Sequence, residues 1–231
     1  MPLKRLYAFA FSKTVSSMGG IITPVVTIIK KTNDERALKE AARILKAGGI
    51  CAFPTDTVYG LGAVYTNDEA VKKIFAAKGR DEGKPLSILI ADPSQASLLS
   101  DEISDDAYKL MEAFWPGALT VIVKKNASVS DIVSAGKDTV GIRMPACNEA
   151  LELIRLAGAP LAAPSANLSG KRSSVSFEDV YEDLRGRIDM ILDGGRCKGG
   201  LSSTVVDVSG GEIKILREGA VTFEMIKAAL Q

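Results

Sequence analysis

A short basic segment, AAKGRDEGKPL at residues 76–86, carries side chains suited to binding a charged ligand. Lys78, Arg80 and Lys84 lie within seven residues and are separated by glycines. Ammonium and guanidinium groups on such a loop can converge on one set of phosphate oxygens, together with backbone N–H groups. The alternative is a solvated helix end, because the helix dipole favours cations there. The segment is not a Walker A motif, since it lacks the GxxxxGKS or GxxxxGKT pattern after a strand.

Two further segments place small polar side chains where apolar strands end. FPTDTVYGLG at 53–62 contains Thr57, and APSANLSG at 163–170 contains Ser165 and Asn167. The ends of strands in α/β sheets commonly bind nucleotides, and small side chains leave room for a ligand there. Each segment also has a purely structural explanation, a turn held by hydrogen bonds from side chains to the backbone.

Two arginines lie in or at the end of apolar strands. Arg143 is part of TVGIRMP and Arg217 is part of ILREG. A buried arginine is seldom left unpaired, so it binds either a protein carboxylate or a ligand's carboxylate, and we favour the ligand for Arg143. Ser203 follows the glycine-rich loop DGGRCKGGLSS, whose flexibility suits close approach of the backbone to a ligand.

Composition excludes several kinds of site. The 231 residues include no histidine, so a His-based catalytic triad is excluded. The three cysteines, Cys51, Cys147 and Cys197, are widely spaced, which argues against a disulfide scaffold and a structural zinc site. A formal net charge of +1 gives no reason to expect a nucleic-acid coat protein, so any cationic site must come from local clustering.

Short apolar runs alternate with helical periodicity and predict one α/β domain with a large, twisted, mixed sheet and flanking helices. A doubly wound parallel fold is disfavoured, because several consecutive strands lack a helix between them. Strands are predicted at 24–29, 50–53, 86–91, 119–124, 139–144, 160–165, 188–193, 203–208 and 212–216, the last two joined in a hairpin across Ser209-Gly210-Gly211. Helices are predicted after a capping box at Thr32–Glu35, after the caps Asn67 and Ser104, near 148–157 and 177–185, and from Thr222.

The first part of the chain is basic and contains no acidic residue before Asp34. We place the folded domain at residues 22–231 and treat residues 1–21 as an N-terminal extension, either a frayed terminus or an organellar targeting segment. No stretch reaches the roughly 18–20 uninterrupted apolar residues of a membrane span. We therefore expect no membrane association and a cytoplasmic location, with organellar import as the alternative.

Six motifs together resemble one enzyme family. PTDTVYGLG, KGRDEGKPL, TVGIRMP, APSANLSG, DGGRCKGGLSSTVVD and ILREG occur in the order and spacing of the YrdC-like threonylcarbamoyl-adenylate synthases, over roughly residues 30–230. The chain is most similar to the short, single-domain type of that family. The resemblance implies a twisted α/β sheet that encloses a positively charged cavity.

The resemblance also implies a reaction. The family consists of nucleotidyltransferases that condense L-threonine, bicarbonate or carbon dioxide, and ATP into threonylcarbamoyl-AMP and pyrophosphate. The product serves threonylcarbamoyladenosine modification of tRNA next to the anticodon, through a separate threonylcarbamoyl transferase complex. Mg²⁺ would arrive with ATP rather than in a protein cage. Contact with tRNA or another RNA remains open.

Site residues carry over from the family by position. The resemblance implies electrostatic and positioning roles in catalysis for Lys78 and Arg80. Contacts to ATP are implied for Lys78, Arg80, Lys84, Thr139, Ser165, Asn167, Ser173 and Arg217, and contacts to L-threonine for Thr57, Arg143, Ala163 and Ser203.

Three positions depart from the family pattern. Leu89 stands where some members carry a histidine near threonine, so that contact is not carried over. Arg172 replaces a frequent proline and Ser202 a frequent glutamate, which puts the contact of the neighbouring Ser173 in doubt.

Two other functions use the same residues. An RNA-binding module would use the cationic concavity without chemistry, and it predicts a steep dependence of RNA affinity on salt. A relative of the hydrogenase-maturation domains would keep the fold and ATP but use carbamoyl phosphate. Those domains belong to longer chains, so we favour the synthase.

Overall fold

The computed structural model describes residues 25–34 and 36–231. The expected N-terminal extension, residues 1–21, lies outside them. The described residues form ten strands: β1 (Ile28–Lys31), β2 (Cys51–Phe53), β3 (Gly60–Val64), β4 (Ser87–Leu89), β5 (Leu119–Lys124), β6 (Thr139–Arg143), β7 (Leu161–Ala162), β8 (Met190–Asp193), β9 (Thr204–Asp207) and β10 (Lys214–Arg217). Seven α-helices accompany them: α1 (Ala37–Lys46), α2 (Asp68–Lys78), α3 (Asp105–Phe114), α4 (Asp131–Ser134), α5 (Asn148–Ala157), α6 (Phe177–Leu184) and α7 (Phe223–Ala229).

The strands form one mixed sheet in the order β1-β8-β2-β3-β7-β4-β6-β5-β9-β10. β8 runs parallel to both β1 and β2, β4 is parallel to β6, and β5 is parallel to β9. The other neighbouring pairs are antiparallel, including the expected β9–β10 hairpin. This confirms a single α/β domain with a large mixed sheet rather than a doubly wound parallel one.

The two faces of the sheet are covered unequally. Apolar side chains of α2, α3, α6 and α7 belong to the core on one face. Side chains of α1 and α5 form a second core on the other face, with Phe53, Leu89 and Leu161. Helices α1 and α5 therefore cover only part of that second face, and the remaining part is open to a cavity.

Strand register brings four side-chain positions side by side on this open face. Ser87 on β4 pairs with Gly141 on β6, Gly141 with Ile122 on β5, and Ile122 with Asp207 on β9. Because side chains alternate between the two faces of a strand, residues two positions away point the same way. Arg143 thus shares this face with Gly141.

Several predicted boundaries are confirmed, and others are wrong for identifiable reasons. Strand β5 has the predicted bounds, and Asn67, Ser104 and Thr222 each accept a capping hydrogen bond at the predicted helix starts. The capping box is wrong at Thr32, because α1 begins at Ala37 after an N-cap whose side chain makes no capping bond. Its other half, Glu35, lies outside the described residues.

Strand β3 was not predicted, because Gly-Leu-Gly-Ala-Val lacks the usual alternation of strand residues. Its glycines have a packing reason. A Cβ on Gly62 would lie 2.7 Å from Cε1 of Phe53, so only glycine lets β3 pass over that ring. The short helix α4 and a 3-10 helix at Pro93–Leu98 also occupy segments without a clear sequence signal.

In the part of the chain that is described, no helix has the length and apolar character to cross a membrane.

Candidate functional site

A cavity of about 290 Å³ lies on the open part of the sheet. Its floor consists of side chains from β4, β5, β6, β9 and β10, and its walls come from the segments around residues 55–60, 163–165 and 202–203. Because these segments follow or connect strands of one sheet, motifs far apart in the sequence meet here.

Eight of the twelve predicted site residues line this cavity. Arg80, Arg143 and Arg217 supply guanidinium groups, and Lys137 adds an ammonium group that sequence reasoning missed. Asp207 contributes a carboxylate. The eight are Thr57, Arg80, Thr139, Arg143, Ala163, Ser165, Ser203 and Arg217.

Arg143 is held by three hydrogen bonds. Its Nε donates to the carbonyl of Gly117 at 2.9 Å, Nη1 to Thr57 Oγ1 at 2.8 Å, and Nη2 to Asp56 Oδ1 at 2.5 Å. A guanidinium carries five N–H groups, so two stay available to a ligand. Burial lowers the pKa of Arg143, and the neighbouring Asp56 carboxylate counteracts this. Of the two alternatives from the sequence, a protein carboxylate is therefore one partner of Arg143.

Asp56 and Thr120 are site residues that sequence reasoning missed. Asp56 sits between two threonines of the PTDT motif with no cation beside it in the sequence, so its pairing with Arg143 is visible only in the fold. Thr120 is a polar residue at an inward-facing position of β5, and its Oγ1 lies 2.8 Å from Ser203 Oγ. Thr120 is 1% exposed and lines the cavity.

Arg80 belongs to the second of the six motifs and Arg217 to the last, and both line the cavity. Arg217 donates from Nε to the carbonyl of Ser203 at 2.9 Å and from Nη2 to Ser203 Oγ at 3.0 Å. Arg80 donates from Nη2 to the carbonyl of Pro85 at 3.1 Å. Among the residues that the structure describes, the buried Arg80 Nε has no hydrogen-bond partner.

These guanidinium groups influence one another. Burial lowers the pKa of Arg80, and the positive charge of Arg217 lowers it further, while Asp81 acts in the opposite direction. Burial also lowers the pKa of Arg217. The charge of Arg217 likewise acts on Arg143. Arginine stays protonated despite such shifts, so a bound anion would relieve the repulsion among the three groups.

Within the described structure, four predicted site residues do not line the cavity. Lys78 is 2% exposed, and its Nζ donates to the carbonyls of Ser165 and Asn167 behind the wall. Asn167 is also buried, and Lys84 is exposed. Ser173 lies one step away, with its Oγ 3.3 Å from the Oγ of the cavity residue Ser202. Ser202, which departs from the family pattern, thus supplies one of the two hydroxyl groups in this contact.

Of the positions that departed from the family pattern, Leu89 lines the cavity and forms part of its apolar wall. Arg172 is exposed and lies in a separate surface depression with Ser173. In the described residues, no cluster of three or more histidine, cysteine, aspartate or glutamate side chains could hold a metal ion.

Comparison with known proteins gives a consistent family. A model of the Sua5/YciO/YrdC family, described as "Telomere recombination", matches residues 43–219. A threonylcarbamoyl-AMP synthase of Bacillus subtilis is 48% identical over 206 residues, which cover 89% of this chain and 59% of that protein. A threonylcarbamoyl-AMP synthase of Pyrococcus abyssi is 42% identical, with 89% and 61% covered. The chain thus spans about six-tenths of the length of these two relatives.

Solved structures agree with the sequence comparison. A crystal structure of P. abyssi Sua5 complexed with L-threonine has a TM-score of 0.84 at 42% identity, covering 89% of this chain and 60% of that one. The crystal structure of Escherichia coli YciO has a TM-score of 0.74 at 26% identity, covering 86% and 96%. The family model, the relatives and the shared fold lead to one conclusion: this chain belongs to the Sua5/YciO/YrdC family.

Proposed function

We propose that this protein is an L-threonylcarbamoyladenylate synthase, a nucleotidyltransferase that joins L-threonine, bicarbonate-derived carbon dioxide and ATP. One observation carries the proposal: three guanidinium groups from separate motifs, Arg80, Arg143 and Arg217, line a single cavity. Such a cavity suits two anionic reactants that must approach each other. Relatives named threonylcarbamoyl-AMP synthase support the proposal.

Threonine would bind at the Arg143 end of the cavity. The two free N–H groups of Arg143 can pair with an α-carboxylate, and the bonds to Asp56 and Thr57 orient them. The hydroxyl of Ser203 and the backbone at Ala163 line the same region and would complete the contacts. A P. abyssi relative crystallised with L-threonine supports this choice of amino acid.

ATP would bind along the remaining cationic residues. Arg80 and Arg217 can neutralise phosphate oxygens, and Arg80 Nε is a buried donor still available for one. Ser165 and Thr139 add hydroxyl groups to the cavity lining. Lys84 and Ser173 are not among the lining residues, and we propose contacts for them only once the nucleotide is bound. Mg²⁺ would accompany ATP and help to neutralise its phosphates.

The reaction proceeds in two steps. The neutral amine of threonine attacks carbon dioxide and loses a proton, which gives a carbamate. A carbamate oxygen then bonds to the α-phosphorus of ATP, the bond from that phosphorus to the α–β bridging oxygen breaks, and pyrophosphate leaves with the electron pair. The carbamate is already anionic, so this second step needs no histidine as a base.

Charge neutralisation and positioning are the protein's contributions. The guanidinium groups would stabilise the charge that develops on the leaving pyrophosphate. Holding the two reactants in contact can contribute up to about 7–11 kcal/mol in favourable intramolecular cases.

We further propose that the product enters tRNA threonylcarbamoyladenosine modification through a separate transferase complex in the cytoplasm. We also propose that residues 22–231 form the catalytic domain.

The test is pyrophosphate release from the purified chain with ATP, Mg²⁺, bicarbonate and each of the twenty amino acids in turn. We expect release with L-threonine and not with serine or valine, because both the hydroxyl and the methyl group must fit. Release with carbamoyl phosphate in place of bicarbonate and threonine would contradict the proposal. Salt-sensitive RNA binding without any threonine-dependent release would contradict it as well.

A further inference from the structure

Lys78 is a buried cation at a helix end. It is the last residue of α2 and is 2% exposed. Its Nζ donates to the carbonyls of Ser165 and Asn167, the latter at 2.6 Å. Among the described residues, no carboxylate lies within ion-pair distance of it.

The backbone of Lys78 contacts the same loop. Its carbonyl accepts a hydrogen bond from Ser169 N at 2.8 Å. Asn167 completes the arrangement: its Oδ1 accepts from Ser165 Oγ at 2.5 Å, and its Nδ2 donates to two carbonyls, those of Leu168 at 2.8 Å and of residue 171 at 3.0 Å. Both N–H donors of the Asn167 amide and one acceptor position of its oxygen are therefore used inside the loop.

An ammonium group in this position is costly unless other groups compensate for its lost hydration. Burial lowers the pKa of Lys78 to about 8, and the charge of Arg80 adds to this effect. Two carbonyl dipoles, the negative end of the α2 dipole and the charge of Asp183, which lies beyond ion-pair distance, stabilise the ammonium group. The same attraction holds the two carbonyls in place across a sequence separation of 87 to 89 residues.

We propose that Lys78 is a positioning residue, whose ammonium group fixes the main chain of Ser165 and Asn167 and thereby holds the Ser165 hydroxyl at the cavity wall near Arg80. Lys78 thus acts on the nucleotide through Ser165, whereas Arg80 would contact the phosphates. The Lys78–loop contact itself is independent of the reaction. Its effect on ATP rests on the proposed function, in which Ser165 contacts the nucleotide.

Hydrogen–deuterium exchange of the unliganded chain tests the local claim. We expect Lys78→Met to raise exchange at the amides of residues 165–170 by about tenfold or more, with the helices of the opposite sheet face unchanged. Arg80→Met should leave the exchange of 165–170 as in the native chain. Lys78→Gln is the second variant if Lys78→Met does not fold, and the same peptides are compared. Unchanged exchange at 165–170 would overturn the inference.

A double-mutant cycle tests the route to ATP. If Lys78 acts through Ser165, the ATP dissociation constant of Lys78→Met/Ser165→Ala should be close to that of Lys78→Met alone. Arg80→Met/Ser165→Ala, the matched control, should show multiplied effects. Multiplied effects for the Lys78 pair would overturn the inference. A native chain that binds ATP yet releases no pyrophosphate would refute the proposed function while leaving both readouts of Lys78 intact.

Discussion

The Arg143 guanidinium and the Asp56 carboxylate lie 2.5 Å apart beside the cavity, and both side chains are largely buried. Thr57 and the carbonyl of Gly117 hold the same guanidinium from two other sides. Arg143 is therefore fixed in orientation before any ligand binds, which reduces the ordering required on binding. The ion pair also lowers the local positive charge and leaves two N–H groups of Arg143 available to a ligand.

We expect Asp56→Asn to raise the KM for threonine by about ten- to hundredfold, because a hydrogen bond to a charged group contributes about 1.5–3 kcal/mol. The KM for ATP should change much less, since Asp56 contacts Arg143 and not the nucleotide end. Steady-state kinetics with each substrate varied in turn measures the split. Equal changes in the two KM values would show that Asp56 has no specific effect on Arg143.

Arg80→Met and Arg217→Met should each lower kcat/KM for ATP by about 10²–10³-fold, the usual loss when a group that stabilises developing charge is removed. The matched control is Lys72→Met, because Lys72 is exposed on α2 and pairs with Glu69. Thermal unfolding should be similar for all three variants. Near-native turnover in both arginine variants would contradict their placement at the triphosphate.

Gly141→Ala tests whether the cavity floor must stay bare at one point. A Cβ there would lie 3.1 Å from Thr120 Cγ2 and 3.3 Å from Ser87 Oγ, so neighbouring side chains must shift slightly. We expect the variant to fold while turnover falls by about a hundredfold, because the methyl group would occupy space between Arg143 and Thr139, where we propose that the two reactants meet. Gly210→Ala is the control, since in the described structure a Cβ at Gly210 meets no atom within 4 Å. Unchanged turnover in Gly141→Ala would mean that the reactants lie elsewhere.

The buried ammonium of Lys78 gives stability a specific dependence on pH. Its pKa falls from 10.5 to about 8 on folding, so between these values the unfolded chain binds more protons at this site. The free energy of unfolding contributed by Lys78 therefore rises as pH increases from about 8 to 10.5, by on the order of 3 kcal/mol, and is constant below that window. Urea unfolding of the native chain and of Lys78→Met at several pH values gives the difference. Parallel curves for the two proteins would show that Lys78 does not change its pKa on folding.

Much of the fold follows from local patterns in the sequence. The alternation of apolar residues in β5 and the caps at Asn67 and Ser104 depend on near neighbours, and these were correct. Strand β3 was missed because its glycines are required by close packing against the ring of Phe53. Local strand propensity carries no information about that contact. The helix α1 begins later than its apparent capping signal, after a turn in which Asp34 accepts hydrogen bonds from the backbone N–H groups of Arg36 and Ala37.

The sequence predicted which segments form the candidate site, but not which way each side chain points. Motif order identified the segments, and eight of their residues do line one cavity. The inward turn of Lys78 and Asn167 depends on contacts between α2 and a loop almost 90 residues away, which spacing alone does not encode. Asp56 and Thr120 were missed for a related reason, because their importance comes from the side chains they touch.

The most direct test of the account is to follow isotope-labelled bicarbonate into product. The native chain is incubated with ATP, Mg²⁺, L-threonine and the labelled bicarbonate, and the masses of the products are measured by mass spectrometry. We expect the label in threonylcarbamoyl-AMP, with one pyrophosphate released per label incorporated, and loss of both in Arg143→Met but not in Lys72→Met. Formation of ADP and phosphate, or pyrophosphate release without threonine, would contradict the claim that this cavity joins threonine to the α-phosphorus of ATP.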